Sequence, residues 1–188
     1  ERRVPIAWCA RDAAERLGVR VHEDTAVTGF DREEAALTVR TEWGSVRAQR
    51  VVVGTGAFRG VLKRLAFYTL PVYDHVLMTE PLSPEQLGRI GWEGREGLTD
   101  AGNQFHYYRL TRDNRILWGG YDAIYHFGSR TDEHLQQRAE SFAGLSKRFF
   151  QTFPQLEGLR FSHQWGGPIS TTTRFCMDVG TAHRGRVS

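Results

Sequence analysis

Between Phe105 and Asp122 the sequence concentrates side chains able to hold an organic cation. Phe105, His106, Tyr107, Tyr108 and Arg109 follow one another, and Trp118, Tyr121 and Asp122 come after an Asp113-Asn114 turn. An aromatic face attracts an ammonium group through its quadrupole, and a carboxylate at the edge of that face adds a Coulombic attraction. Tyr108 and Asp122 are the residues expected to form such a site. The same side chains would also suit a sheet core, with Asp122 capping a turn, and residue type alone leaves both readings open.

A second feature is Gly54-Thr55-Gly56-Ala57-Phe58-Arg59-Gly60, which follows the apolar run Val51-Val52-Val53. A dinucleotide fingerprint needs a small residue at position 59 so that helix and strand pack closely, and Arg59 stands there. The glycine pair is therefore read as a tight strand exit where backbone approaches a ligand. No H-E-x-x-H or C-x-x-C pair is present, so no metal site is expected. Cys9 and Cys176 could form at most one bridge and are read as reduced thiols.

Pro5 with Ile6, Ala10, Ala13, Ala14 and Leu17 predicts a helix over 5–17, stopped by Gly18. Val19 and Val21, Val27 with Phe30, 36–41 and 46–49 predict an antiparallel ribbon, and 51–53 a strand buried on both faces. Residues 69–80 read as one long strand with Pro71 near its start. Ser83-Pro84-Glu85-Gln86 is a capping box opening a short helix to about residue 90, and 91–102 read as loop. Strands 105–111 and 116–121 form a hairpin across Asp113-Asn114. A long helix is expected from a Thr131 cap to Pro154, then a last strand over 159–165 running into Gly166-Gly167-Pro168.

This order predicts a mixed α+β and α/β fold: part of a layered α/β unit over residues 1–57, and an antiparallel sheet with helices on one side over 58–165. Residues 166–188 return toward the first unit. The 188 residues, 40% hydrophobic and 25% charged, describe an ordered globular protein. A net charge of +3, with bases interspersed among acids, argues against a nucleic-acid platform. No apolar run approaches the roughly 20 residues of a membrane span, and the chain reads as soluble and cytoplasmic.

Several segments together resemble a known family: Leu17-Gly18-Val19-Arg20-Val21, Thr25-Ala26-Val27-Thr28-Gly29, Val51 to Ala57, Thr79-Glu80-Pro81-Leu82, Tyr108 to Thr111 with Asp113 to Leu117 and Gly119-Gly120, and Trp165-Gly166-Gly167-Pro168. They look like FAD-dependent oxidoreductases of the D-amino-acid oxidase superfamily, most like its γ-glutamylputrescine oxidase branch. The family's amino-terminal G-x-G-x-x-G and its carboxy-terminal glycine-rich flavin segment are absent, so the chain is expected to be the interior of a longer one. The resemblance implies FAD as cofactor, with Val27, Gly54, Thr55 and Gly56 toward it. It implies oxidation of a small-molecule amine with O2 as acceptor, and Tyr107, Tyr108, Asp122 and Trp165 toward the substrate. Amino-acid oxidases of the superfamily place a carboxylate-gripping arginine just after the similar Trp-Gly-Gly-Pro segment. Here the matching place is Ile169 or its neighbour, which favours an extended amine over a simple amino acid, although Arg174 could supply charge from elsewhere. The competing expectation is a nucleic-acid or protein binding module built on the aromatic hairpin.

Overall fold

The structure is a computed structural model that describes residues 5–58, 60–120, 122–176, 179–182, 185 and 187. The chain divides into two compact units, Glu1–Val53 with Val179–Ser188, and Gly54–Asp178.

In the first unit, α1 (Pro5–Arg16) ends where Gly18 takes φ +88°. The residues after it form no strand until β1 (Val27–Arg32), so Val19 and Val21 lie in irregular chain. A three-stranded antiparallel ribbon follows, β1 with β2 (Leu37–Thr41) and β3 (Ser45–Ala48), in the order β1-β2-β3. The doubly buried strand expected at 51–53 is not formed. Val51 makes one parallel bridge to Val187, and Val52 is 80% exposed, because no described strand flanks this run on both edges.

The second unit is built around β4 (Thr69–Thr79), an 11-residue strand. Its even-numbered residues face one side of the sheet and its odd-numbered ones the other, and Tyr73, His75, Leu77 and Thr79 on the odd side are buried. One edge of β4 pairs along its whole length with β9 (Phe161–Thr172). The other edge pairs with β7 (Ile116–Gly120) over 76–78 and with β8 (Ile124–Tyr125) over 72–73. Beyond β7 lie β6 (His106–Leu110) and β5 (Gly97–Thr99), giving the order β5-β6-β7-β4-β8. The 69–79, 106–110 and 116–120 strands are thus neighbours, and the hairpin across Asp113-Asn114 pairs His106 with Gly120 and Leu110 with Ile116.

One face of this sheet is covered by α3 (Ala139–Thr152), which buries Phe142, Leu145 and Phe149 against Leu77, Ile116 and Trp118. Each such fully buried side chain contributes about 1.5–3 kcal/mol relative to exposure. The helix begins later than its sequence pattern suggests, because Glu133–Gln136 forms a separate 3-10 turn and Arg138 occupies the N-cap. The short α2 (Pro84–Ile90) opens on the expected box: Gln86 N–H donates to Ser83 Oγ at 3.2 Å, and Ser83 N–H donates to Gln86 Oε1 at 2.8 Å. The last strand outruns its expected end at 165, since Pro168 sits on a strand whose outer edge is unpaired and needs no donor there.

Candidate functional site

Strand alternation decides which of the aromatic residues can work together. His106, Tyr108 and Trp118 face α3: the rings of His106 and Trp118 stack with centroids 4.4 Å apart, and Tyr108 packs on Trp118 at 4.9 Å and edge-on to Phe153 at 5.9 Å. Asp100 ties down the start of this strand, its Oδ2 lying 2.8 Å from His106 Nδ1 and accepting the His106 N–H at 3.2 Å. That bond to the imidazole holds the Asp100 carboxyl below its ordinary range. Tyr108, expected to present a ring to substrate, is placed on the α3 side of the sheet. Its neighbours are core side chains, because residue 108 falls on the helix-covered side.

Tyr107 points the other way. Its ring lies over Gly119, where a Cβ would come within 2.6 Å of the Tyr107 Cζ and 2.7 Å of its oxygen. The hydroxyl donates to Asp74 Oδ2 on β4 at 2.6 Å. Burial, and then the Asp74 carboxylate, push the Tyr107 phenol well above its ordinary range, so it stays a neutral donor. The second oxygen of Asp74, Oδ1, accepts the His75 N–H at 2.8 Å. This donor falls where β4 has no pairing on that edge, between the end of β7 and the start of β8.

The register carries the uncovered face across to β9. Asp74 lies opposite Gly167, Val76 opposite Trp165 and Val72 opposite Ile169, and such pairs share a face. Trp165 is 38% exposed and Ile169 51% exposed. Among the described residues, none outside its chain neighbours has a heavy atom within 4 Å of where a Gly167 side chain would start. The face uncovered by α3 thus joins Tyr107 and Trp165, two of the expected residues, to a carboxylate the sequence reading passed over. The signal was present in the even positions of 72–78, where Asp74 interrupts Val72, Val76 and Met78.

Asp122 follows β7 on the helix side, half-buried, with its carboxylate 3.8 Å from the Arg138 guanidinium at the start of α3. Asp122, expected as the anchor for a substrate amine, thus has a cationic neighbour within the chain, one that also lies 3.7 Å from Glu140. Tyr121 lies outside the described residues. The nucleic-acid platform loses its surface for the same reason as Tyr108: His106, Tyr108 and Trp118 are turned into the core.

Gly54, Thr55 and Gly56 are exposed, and among the described residues other than chain neighbours none has an atom within 4 Å of a potential Cβ on either glycine. Gly56 takes φ +58°. This bare backbone fits the close approach of a flat cofactor. In the other unit Val27 heads β1, opposite Thr41 of β2, and is 42% exposed. Among the described residues no group of three His, Cys, Asp or Glu could hold a metal ion, and no helix is long and apolar enough to cross a membrane.

Comparison with known proteins gives this geometry a context. Gamma-glutamylputrescine oxidoreductase of Escherichia coli is 35% identical over 163 residues, covering 86% of this chain and 36% of that protein. A probable oxidoreductase, OrdL, of Haemophilus influenzae is 28% identical over 191 residues, covering 98% of this chain and 40% of that one. The chain thus spans well under half the length of these curated relatives. Among solved structures, glycine oxidase from Geobacillus kaustophilus has a TM-score of 0.71 at 21% identity, over 93% of this chain and 44% of that one. L-proline dehydrogenase from P. horikoshii has a TM-score of 0.72 at 20% identity, over 92% and 45%. These two show the fold, an α+β arrangement shared with flavoenzymes. A family model for FAD-dependent oxidoreductases matches from residue 5 to residue 186, and the chain belongs to that family, the DAO family.

Proposed function

We propose that this chain is part of a flavin-dependent oxidoreductase that oxidises an extended amine of the γ-glutamylputrescine type, with O2 as electron acceptor. In this reading residues 1–57 belong to the FAD-binding domain, with Val27, Gly54, Thr55 and Gly56 toward the cofactor. Residues 58–165, continued by the rest of β9, cover the substrate. FAD, when bound, supplies the hydride acceptor, and the chain's own residues bind, orient and desolvate the amine.

The observation that carries the reading is the uncovered face of the second unit's sheet, where Tyr107 and Trp165 stand on one side with a carboxylate between them. An indole beside a carboxylate suits a cationic ligand. Ile169, exposed on the same face where the resemblance would place an arginine, supports a substrate without an α-carboxylate at that point. The relative named for γ-glutamylputrescine, 35% identical, supports the choice of amine.

The test is anaerobic mixing of the FAD-loaded full-length enzyme with a panel of amines and amino acids, followed by flavin absorbance. Extended amines are expected to bleach the flavin, and glycine and D-alanine to leave it oxidised. Equal or faster bleaching by glycine or D-alanine would overturn the extended-amine reading.

A further inference from the structure

We propose that Asp74, held in place by Tyr107, is the residue that selects substrates carrying a second, non-reacting ammonium group. The inference rests on the reading above that the uncovered sheet face receives the substrate, and it names which end of the substrate that face recognises.

A carboxylate in the middle of a strand, on a face it shares with Val72, Val76, Trp165 and Ile169, is costly unless something compensates it. Asp74 receives two hydrogen bonds, from the Tyr107 hydroxyl and the His75 N–H, and these fix its orientation. Among the described residues no Lys, Arg or His forms an ion pair with it. Two oxygens with about four lone-pair sites between them retain capacity after those two bonds. Beside the carboxylate the floor is open among the described residues, because Gly167 contributes no side chain and none of their atoms stands where one would start. Trp165 and Ile169 rise on either side of that glycine along β9. An open hollow with an indole wall, an aliphatic wall and an oriented anion has the shape and charge for an alkylammonium.

The chemistry then assigns the end of the molecule. Hydride leaves a carbon whose nitrogen is neutral and can donate its lone pair, whereas a carboxylate in contact with an amine stabilises its protonated form. The group at Asp74 is therefore the nitrogen that is not oxidised. A diamine can place one nitrogen there and offer the other for reaction, and a monoamine cannot do both.

The experiment compares Asp74→Asn with the parent in the FAD-loaded full-length enzyme, using 1,4-diaminobutane and 1-aminobutane as probes. Asparagine keeps the side-chain shape and can still accept from Tyr107. Loss of a charge-assisted contact is expected to lower kcat/KM for the diamine roughly 10- to 150-fold, with the monoamine unchanged or improved. Gly167→Val fills the hollow without touching the charge, at a position with room for the new atoms, and is expected to weaken the diamine selectively as well. Binding is read separately by calorimetry on the full-length apoenzyme, where the preference for 1,4-diaminobutane over uncharged 1,4-butanediol should vanish in Asp74→Asn. Equal losses for both amines, no loss for the diamine, or an unchanged calorimetric preference would each overturn the assignment. If the loaded enzyme oxidises no amine, the proposed function fails while the calorimetric comparison still decides the role of Asp74.

Discussion

Tyr107 and Gly119 are interdependent, since the phenol reaches Asp74 only by lying flat where Gly119 has no side chain. Gly119→Ala is expected to displace the ring, break the 2.6 Å bond and cost about 1–3 kcal/mol of stability through overpacking, measured by denaturant unfolding. The ionisation of Tyr107 offers an independent reading of the same pair. Burial and Asp74 raise its folded-state value above the unfolded one, so the folded protein holds this proton more tightly. Its contribution to stability is complete below the unfolded value of about 10 and is lost as pH rises beyond it. Asp74→Asn removes the carboxylate's share of that effect, and phenolate absorbance for this residue should then appear at lower pH than in the parent. Tyr107 and Trp165 could be singled out from the sequence through the family resemblance, and the register places them on one face of the sheet. Asp74 was not singled out, since its partner lies 33 residues away and only the register of three strands brings the two together. Tyr108 could have been separated from Tyr107 by strand alternation alone, which puts adjacent residues on opposite faces.

Helix α3 and strand β4 meet at His75, whose ring lies edge-on to Phe142 with centroids 5.4 Å apart and which is almost wholly buried. Burial is the main cause that lowers its proton affinity. Arg138 acts in the same direction, and Asp74, a backbone contact at Leu135 and Asp122 oppose it. Because the folded value lies below the unfolded one of about 6.5, the unfolded chain takes up the proton first as pH falls. Stability is therefore expected to decline as pH drops below about 6.5 and to level off once the folded histidine is protonated too. His75→Leu should flatten that part of a stability profile measured by thermal unfolding. At this scale the hairpin, β4, α1 and the capping box were readable, because each is fixed by local turn chemistry or by a long periodic run. The missed elements depended on partners distant in sequence. The short β5 exists through its pairing with β6, β8 through its pairing with β4, and the extension of β9 past Gly166-Gly167-Pro168 through the full-length edge of β4. Conversely, Val51-Val52-Val53 has a strand's composition without two flanking strands among the described residues, and composition alone could not distinguish the cases.

The large aromatic core belongs entirely to the unit of residues 54–178, while the other unit buries chiefly Ala36, Leu37 and Val187. The phosphates of a dinucleotide ordinarily sit on a helix N-terminus behind a glycine fingerprint, and these 188 residues contain no such motif. The chain by itself is accordingly expected to lose FAD on gel filtration, and stoichiometric yellow protein in the eluted peak would contradict this. The division of labour along β4 bears on how such a unit can diversify. β9 pins one edge of the strand throughout, and β7 and β8 each pair with a separate stretch of the other edge. Insertions between β7 and β8 would leave both of those pairings in place. Over evolutionary time the sheet can thus keep its framework while the connection from β7 to β8 changes in length.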